Sequence, residues 1–265
     1  MSYSGLPLIG GSFTSLSHMT QGEQAYNDYD GFARAYASLN DGSPFLALYE
    51  RPAILALAGD VRGVRVLEAG CGAGVQAAEL VRRGAVVTGV DRSAGLLEVA
   101  RERLGPNVPL HRADLARPLS FADGAFDLVL SSLLMHYLAD WEPTLREFRR
   151  VLVPGGRVVL STHHPVLDLR VSGSDDYLGT YSFTEDWQVD CRTMSMRFWH
   201  RPLRAMLAAF TSSGFSVDEI VEPEPRPEMA ATAPDVYERL RRHAHFLLFA
   251  LTARVERRPV RHRPG

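Results

Sequence analysis

The residues best suited to chemistry in this chain lie where an apolar run gives way to glycine. Val66-Leu67-Glu68-Ala69-Gly70-Cys71-Gly72-Ala73-Gly74 leads into the mixed polar and apolar run from Val75 to Arg83. Glycine at such a junction lets backbone amides and a helix N-terminus approach a ligand where any Cβ would collide. A second apolar run, Ala85 to Val90, ends in Asp91. An acidic residue about twenty positions beyond the glycines can accept hydrogen bonds from ribose hydroxyls, as in nucleotide sites on doubly wound sheets. The spacing Gly70-x-Gly72-x-Gly74 does not match the dinucleotide pattern G-x-G-x-x-G.

Three histidines are candidates for moving a proton. His136, His163 and His164 each follow an apolar run aimed at the same end of the sheet, and imidazole is the commonest general base. Adjacent residues in extended chain face opposite ways, so only one of His163 and His164 can face a site if the strand persists. Pro165 restrains the backbone of His164, which favours a positioned turn. Asp168, Asp175 and Asp176 follow, but no i, i+4 histidine pair or cysteine cluster accompanies them, so no metal is expected. No G-x-S-x-G elbow occurs, which excludes the usual hydrolase arrangement.

Such side chains need strands that end together. From Val64 onward strand-like and helix-like segments alternate, which predicts a parallel sheet. Ser93 is placed to cap a helix running to Leu104. A short strand, Val108 to Arg112, precedes Ala113-Asp114-Leu115, and an Asp123-Gly124 turn feeds a strand from Phe126 to Ser131. Leu145 to Leu152 reads as a helix stopped by Pro154-Gly155-Gly156, with Arg157 to Thr162 as the fifth strand. Ligands bind at strand ends near a switch point, so Ser131 to His136 should line the site. Upstream, Tyr29, Phe32 and Tyr36 share one helical face, and a second helix covers roughly 44–58. Residues 163–200 hold Tyr177, Tyr181, Phe183, Trp187, Phe198 and Trp199 without clear periodicity, and are expected to cap the substrate. Then come an amphipathic helix from Arg201 to Gly214, a strand from Phe215 to Glu222, a helix over 234–243 and a strand from Phe246 to Arg254.

Leu67-Glu68-Ala69-Gly70-Cys71-Gly72-Ala73-Gly74 resembles motif I of the class I S-adenosylmethionine (SAM) dependent methyltransferases. Asp127 through Ser132 resembles motif IV, and Leu152-x-Pro154-Gly155-Gly156 before an apolar strand is a further feature of that family. With three motifs in order across 64–162, the chain is identified as a member of the small-molecule, methyltransferase type 11-like branch. The resemblance implies an α/β, doubly wound, Rossmann-like seven-stranded sheet with an antiparallel edge hairpin. It also implies an N-terminal helical lid, since many relatives open with a Tyr-Asp-x-x-Ala-x-x-Tyr helix like Tyr29-Asp30 to Tyr36. SAM would then place its methionine end over Gly70, Cys71, Gly72 and Gly74 beside Glu68, its ribose at Asp91 and its adenine beside Asp114. Arg92, Leu115, Ser131, Tyr29 and Tyr36 complete the expected cofactor contacts. His164-Pro165 resembles a dipeptide that related enzymes carry at this place.

Composition narrows the partners. A formal net charge of −2 argues against nucleic acid. Cys71 and Cys191 are too few for a disulfide framework, so a reduced, cytoplasmic setting is expected. No apolar run reaches about 18 residues and no basic-then-apolar leader is present, so neither a membrane span nor a signal peptide is expected. The expected organisation is one domain over 1–265: arm and lid to 58, core over 64–162, cap over 163–200, final helix and strands over 201–254, and a disordered tail over 255–265. The function expected is methyl transfer from SAM to O, N or C of a small acceptor, aromatic or otherwise largely apolar. A cyclisation or other reaction on the same fold, and a non-catalytic interaction role, are the competing readings.

Overall fold

The computed structural model describes residues 26–189 and 192–255; the expectations for the arm over 1–22 and for the tail beyond Val255 fall outside them. Seven strands build the main sheet: β1 (Arg65–Ala69), β2 (Val86–Asp91), β3 (Leu110–Arg112), β4 (Phe126–Ser131), β5 (Leu152–His163), β8 (Phe215–Val221) and β9 (Phe246–Ala253). Between β5 and β8 lies a separate two-stranded sheet, β6 (Tyr181–Val189) with β7 (Arg192–His200). The order across the main sheet is β3-β2-β1-β4-β5-β9-β8. β9 runs antiparallel to both neighbours, while the pairs from β3 through β5 are parallel. The antiparallel pair of the edge is therefore made by inserting the last strand between β5 and β8.

The inner strands β1, β4, β5 and β9 are buried on both faces, which explains their apolar runs, while the edge strands β3 and β8 are largely exposed. Alternate residues go to opposite sides. Leu67, Ala69, Val129, Leu160 and Phe249 pack beneath α5 (Glu142–Val151) and α7 (Leu203–Ser212), through Leu145, Phe148, Met206 and Phe210. Val66, Leu128, Leu130, Val159 and Leu248 face the other layer, formed by Tyr49, Ile54 and Leu55 and by Ala77 and Leu80 of α3 (Val75–Arg82). α4 (Ala94–Leu104) is capped by the Ser93 hydroxyl, which accepts from the Leu96 N–H at 3.1 Å.

Local expectations are corrected at four places. The lid helix α1 spans Ala33–Gly42, and Tyr29 precedes it at the start of a 3-10 turn, Asp30–Phe32. The helix over 44–58 contains a π-turn, Leu46–Glu50, before α2 (Arg51–Ala58). α5 ends at Val151, and Pro154-Gly155-Gly156 belongs to an irregular start of β5, where Gly155 has φ of +76° and the register against β4 shifts. Residues 163–200, which showed no clear periodicity, fold as α6 (Pro165–Ser172) followed by the β6–β7 hairpin. On β6 buried Glu185 and Trp187 alternate with exposed Asp186 and Gln188, in the two-residue period of a strand, while on β7 Met194, Met196 and Phe198 form the inner face between buried Ser195 and half-buried Arg197. That face packs on Tyr29, Phe32, Tyr36 and Tyr137. Three polar contacts at Asn27 then tie the lid to β7: its N–H donates to Ser195 O, its side-chain amide to Arg197 O, and Arg197 N–H donates back at 2.8 Å.

Phe249 is fully buried and its ring lies 4.9 Å from that of Phe210. Phe249→Ala is expected to cost about 3–5 kcal/mol in urea unfolding. Val86→Ala, at a residue 61% exposed, should stay within about 0.5 kcal/mol.

Candidate active site

The chain winds in opposite directions on the two sides of β1, since β2 follows on one side and β4 on the other. Their outgoing loops separate there and leave a crevice. A cavity fills it, walled by the glycine turn, the end of β2, the segment after β4, the helix over 44–58, the lid and the hairpin.

The glycine turn forms the floor. Gly72 has φ of +51° and a Cβ built on it meets nothing within 4 Å, so any side chain there would project into open space. Its N–H donates to Asp91 Oδ2 at 2.9 Å, and Ser93 N–H donates to Oδ1 at 2.9 Å. Burial raises the Asp91 pKa, and these two amides act against it. The carboxylate is thereby fixed at the cavity wall with further acceptor capacity. Gly70, Cys71, Arg92, Asp114, Leu115, Tyr29 and Tyr36 also line the cavity. Asp114 is held by an Ala116 N–H bond at 3.0 Å. Cys71 is a buried free thiol whose pKa burial pushes well up.

Three expected cofactor residues stand elsewhere. Glu68 lies outside the cavity wall, fully buried, with Oε2 lacking any hydrogen-bond partner. Burial first, and then the neighbouring Asp91 charge, push its pKa to about 8. Gly74 is the left-handed N-cap of α3; a Cβ there would meet Leu104 at 2.9 Å and Ala100 at 3.2 Å, so its glycine serves helix packing. Ser131 is fully buried beneath the wall, and Ser132 lines it instead.

The histidines separate as the strand alternation requires. His163 and His136 line the cavity; His164 does not. His164 caps α6, accepting the Val166 N–H on Nδ1 at 3.2 Å, and its Nε2 lies 3.0 Å from Glu222 Oε1 on the other side of the strand. It is thus a structural residue. His163 Nδ1 lies 3.1 Å from Asp168 Oδ1, and Asp168 is 1% exposed. Among the described residues no protein group is hydrogen-bonded to His163 Nε2, which leaves that nitrogen for the cavity. The other Asp168 oxygen is 3.6 Å from Nδ1 of the fully buried His200, whose Nε2 donates to the Tyr177 carbonyl at 3.0 Å. Burial pulls the His200 pKa down, but Asp168 and the carbonyl outweigh it and the net direction is upward.

Sequence reading missed a polar group on the opposite wall. Glu50 is 1% exposed and accepts from Ser132 Oγ at 2.8 Å and Ser161 Oγ at 2.6 Å. Gln76 Nε2 donates to the same Ser132 hydroxyl at 2.8 Å. Arg51 lines the cavity beside them with Nε unpartnered. The available signal was that Glu50-Arg51 is the one charged pair in an otherwise apolar run over 44–58. Tyr137 was also missed: its hydroxyl shares a 2.6 Å hydrogen bond with that of Tyr29, closing lid against core. Among the described residues no group of three His, Cys, Asp or Glu side chains is arranged to hold a metal, and no helix is long and apolar enough to cross a membrane.

Glu68 gives a pH prediction. An ordinary glutamate loses its proton near pH 4.3 when unfolded, whereas the folded one holds it to about 8. Its contribution is therefore fully present below about pH 4 and is lost as pH rises through 8. Glu68→Gln should flatten the fall in stability between about pH 5 and 8, measured as urea midpoints against pH; an unchanged slope would contradict it.

Comparison with known proteins agrees with this geometry. Residues 67–160 match a family model described as a methyltransferase domain. Methyltransferase GfsG of Streptomyces halstedii is 38% identical over 139 residues, 50% of this chain and 45% of the relative. A demethylmenaquinone methyltransferase of Corynebacterium kroppenstedtii is 41% identical over 98 residues, 37% of this chain and 41% of the relative. The chain spans about half the length of the curated relatives it matches. A crystal structure of an S-adenosylmethionine-dependent methyltransferase from Mesorhizobium loti superposes with a TM-score of 0.62 at 28% identity, covering 80% of this chain and 99% of that one. A seven-stranded sheet with its last strand inserted antiparallel and a glycine turn bonded to an aspartate beside the switch point thus accompany a methyltransferase domain over residues 67–160, in a fold similar to that of SAM-dependent methyltransferases.

Proposed function

We propose that the protein transfers the methyl group of SAM to a hydroxyl of a small, largely apolar acceptor. One observation carries this reading: a single cavity joins the Gly72–Asp91 floor to a histidine backed by a buried carboxylate. The residues present fit SAM. The position a Gly72 Cβ would fill is open, and Asp91 presents an anchored carboxylate suited to a ribose diol. Arg51, with an unpartnered Nε, would offer a cation to the methionine carboxylate near the glycine turn, and the cavity-lining Asp114 and Leu115 would hold the adenine.

When bound, SAM supplies an electrophilic methyl whose bonding electrons stay with sulfur as the acceptor takes the carbon. The protein then has two tasks, positioning and proton removal. Asp168 accepts from His163 Nδ1–H, which holds the ring in one orientation and leaves the Nε2 lone pair for the acceptor's proton. Asp168 also stabilises the imidazolium that results. An acceptor that needs deprotonation makes use of such a base; an amine already carrying its lone pair does not. Tyr29, Tyr36, Tyr137 and Trp187 surround the space above the floor, Tyr36 stacking with Trp187 at 6.4 Å and 10°. Such walls exclude water and suit a flat or apolar acceptor.

Two measurements test this. By calorimetry, Asp91→Ala should weaken SAM binding by about 1–3 kcal/mol, and Gly72→Val should abolish it while circular dichroism shows a folded sheet; unchanged affinity in either would overturn the cofactor placement. With a phenol that yields S-adenosylhomocysteine (SAH), His163→Ala should lower kcat by about 10²–10⁴ and leave SAM affinity intact. Wild-type turnover in that variant would remove the base.

A further inference from the structure

Two buried imidazoles lie face to face on the cavity wall, and their surroundings fix which nitrogen of each carries a proton. The His136 and His163 ring centroids are 3.7 Å apart with planes 18° from parallel. The backbone N–H of His163 donates to Nδ1 of His136 at 3.3 Å. An amide N–H only donates, so this Nδ1 holds a lone pair and the proton of the neutral ring sits on Nε2. Burial, and secondly the neighbouring His163, hold the ring in that neutral form. His163 is set the other way. Its Nδ1 faces Asp168 Oδ1, an acceptor, so Nδ1 carries the proton and Nε2 carries the lone pair. His200 Nε2 donates to the Tyr177 carbonyl and its Nδ1 lies 3.6 Å from Asp168 Oδ2, on the far side of that carboxylate from His163.

The stack therefore presents one donor, His136 Nε2–H, and one acceptor, His163 Nε2, from adjacent parallel rings. Nδ1 of each ring is occupied within the protein, so the free functions are these two. Neither Nε2 is among the buried polar atoms left without a partner, although among the described residues no protein group bonds to either; both residues line the cavity. Rings 3.7 Å apart suit hydrogen bonds of about 2.7–3.2 Å to two oxygens held close together on one flat molecule. Tyr137, 4.5 Å from the His136 ring, and Phe198, 4.9 Å from the His163 ring, supply apolar surface beside them.

We propose that this pair selects acceptors carrying a hydroxyl next to a second oxygen, such as a catechol or an ortho-acyl phenol. His163 takes the hydroxyl proton on Nε2, and His136 donates from Nε2–H to the neighbouring oxygen. An acceptor with a lone hydroxyl leaves the His136 N–H buried and unpaired, which is how a polar pocket rejects an analogue lacking one group. This inference rests on the methyl-transfer reading for its purpose, but its binding claim stands apart from turnover.

The test is isomer discrimination in binding. Protein with and without SAH is titrated with catechol against hydroquinone and with 2-hydroxyacetophenone against 4-hydroxyacetophenone, reading Kd by ligand-observed NMR. Within each pair size and composition are equal while the spacing of the oxygens differs, and the catechol–hydroquinone pair controls for the internal hydrogen bond of the ortho-hydroxy ketone. The ortho isomers should bind about tenfold tighter or better. His136→Asn retains an acceptor for the His163 amide and removes the Nε2 donor; it should reduce the ratio to below about threefold while SAH affinity stays unchanged. Equal affinities within each pair, a preference that survives His136→Asn, or no detectable binding of any of the four would overturn the proposal. If His136→Asn does not fold, the isomer ratios of the wild-type protein decide alone. Failure of methyl transfer shows separately, as absence of SAM binding or of SAH production from any acceptor, whereas SAH produced only from single-hydroxyl phenols or amines would sink the two-oxygen inference and leave methyl transfer standing.

Discussion

The separation of the chain at β1 is the constraint on which the rest depends. Because the strands before and after β1 in the sheet order are reached by connections that leave in opposite directions, the two loops cannot pack against each other. The crevice between them exposes backbone that must be satisfied. On one side the glycine turn places its amide on Asp91; on the other, Leu133 adopts φ of +49° and its N–H reaches Ser161. A non-glycine residue in the left-handed region carries strain that the surroundings must hold. Here that strain sits on the wall of the cavity.

Around the crevice the protein buries several ionisable groups at once, each with a different solution to the cost. Glu50 is met by two serine hydroxyls, Asp91 by two backbone amides, and Asp168 by two imidazoles. Glu68 has no such set and is carried with its pKa near 8, in the protonated form at neutral pH. The paired carboxylates are fixed acceptors, suited to ligand contacts or to orienting a ring; the protonated one shapes the floor from beneath without adding a further negative charge beside Asp91.

The covering layer is built from aromatic rings and is tied to the core by polar contacts at its edge, among them Arg34 with Glu102 and Asp30 with Ser93 and Gly95. Tyr29 reaches Tyr137 across one hydrogen bond, Tyr36 stacks on Trp187, and Asn27 joins the edge of β7 in the manner of a peptide group. Lid and hairpin are thus parts of one roof. A roof of rings with polar tips excludes water while keeping the interaction adaptable.

The sequence alone determined the parts whose information is local. Alternating apolar runs fixed the strands, because a strand buried on both faces must be apolar throughout. Gly70, Gly72 and Asp91 marked the floor, because backbone conformation and close approach are written in single residues. The two-residue alternation of extended chain already required that His163 and His164 point apart. The rest was decided by tertiary structure. Which of those two histidines met the cavity depended on how β5 seats against α6. Asp168 reaches His163 from α6, five residues on, but His200 joined Asp168 only when the β6–β7 hairpin folded back. Glu50 gained its serines from strands more than eighty positions away. Side-chain pairs of that kind are set by the closing of the chain on itself, and no local propensity encodes them.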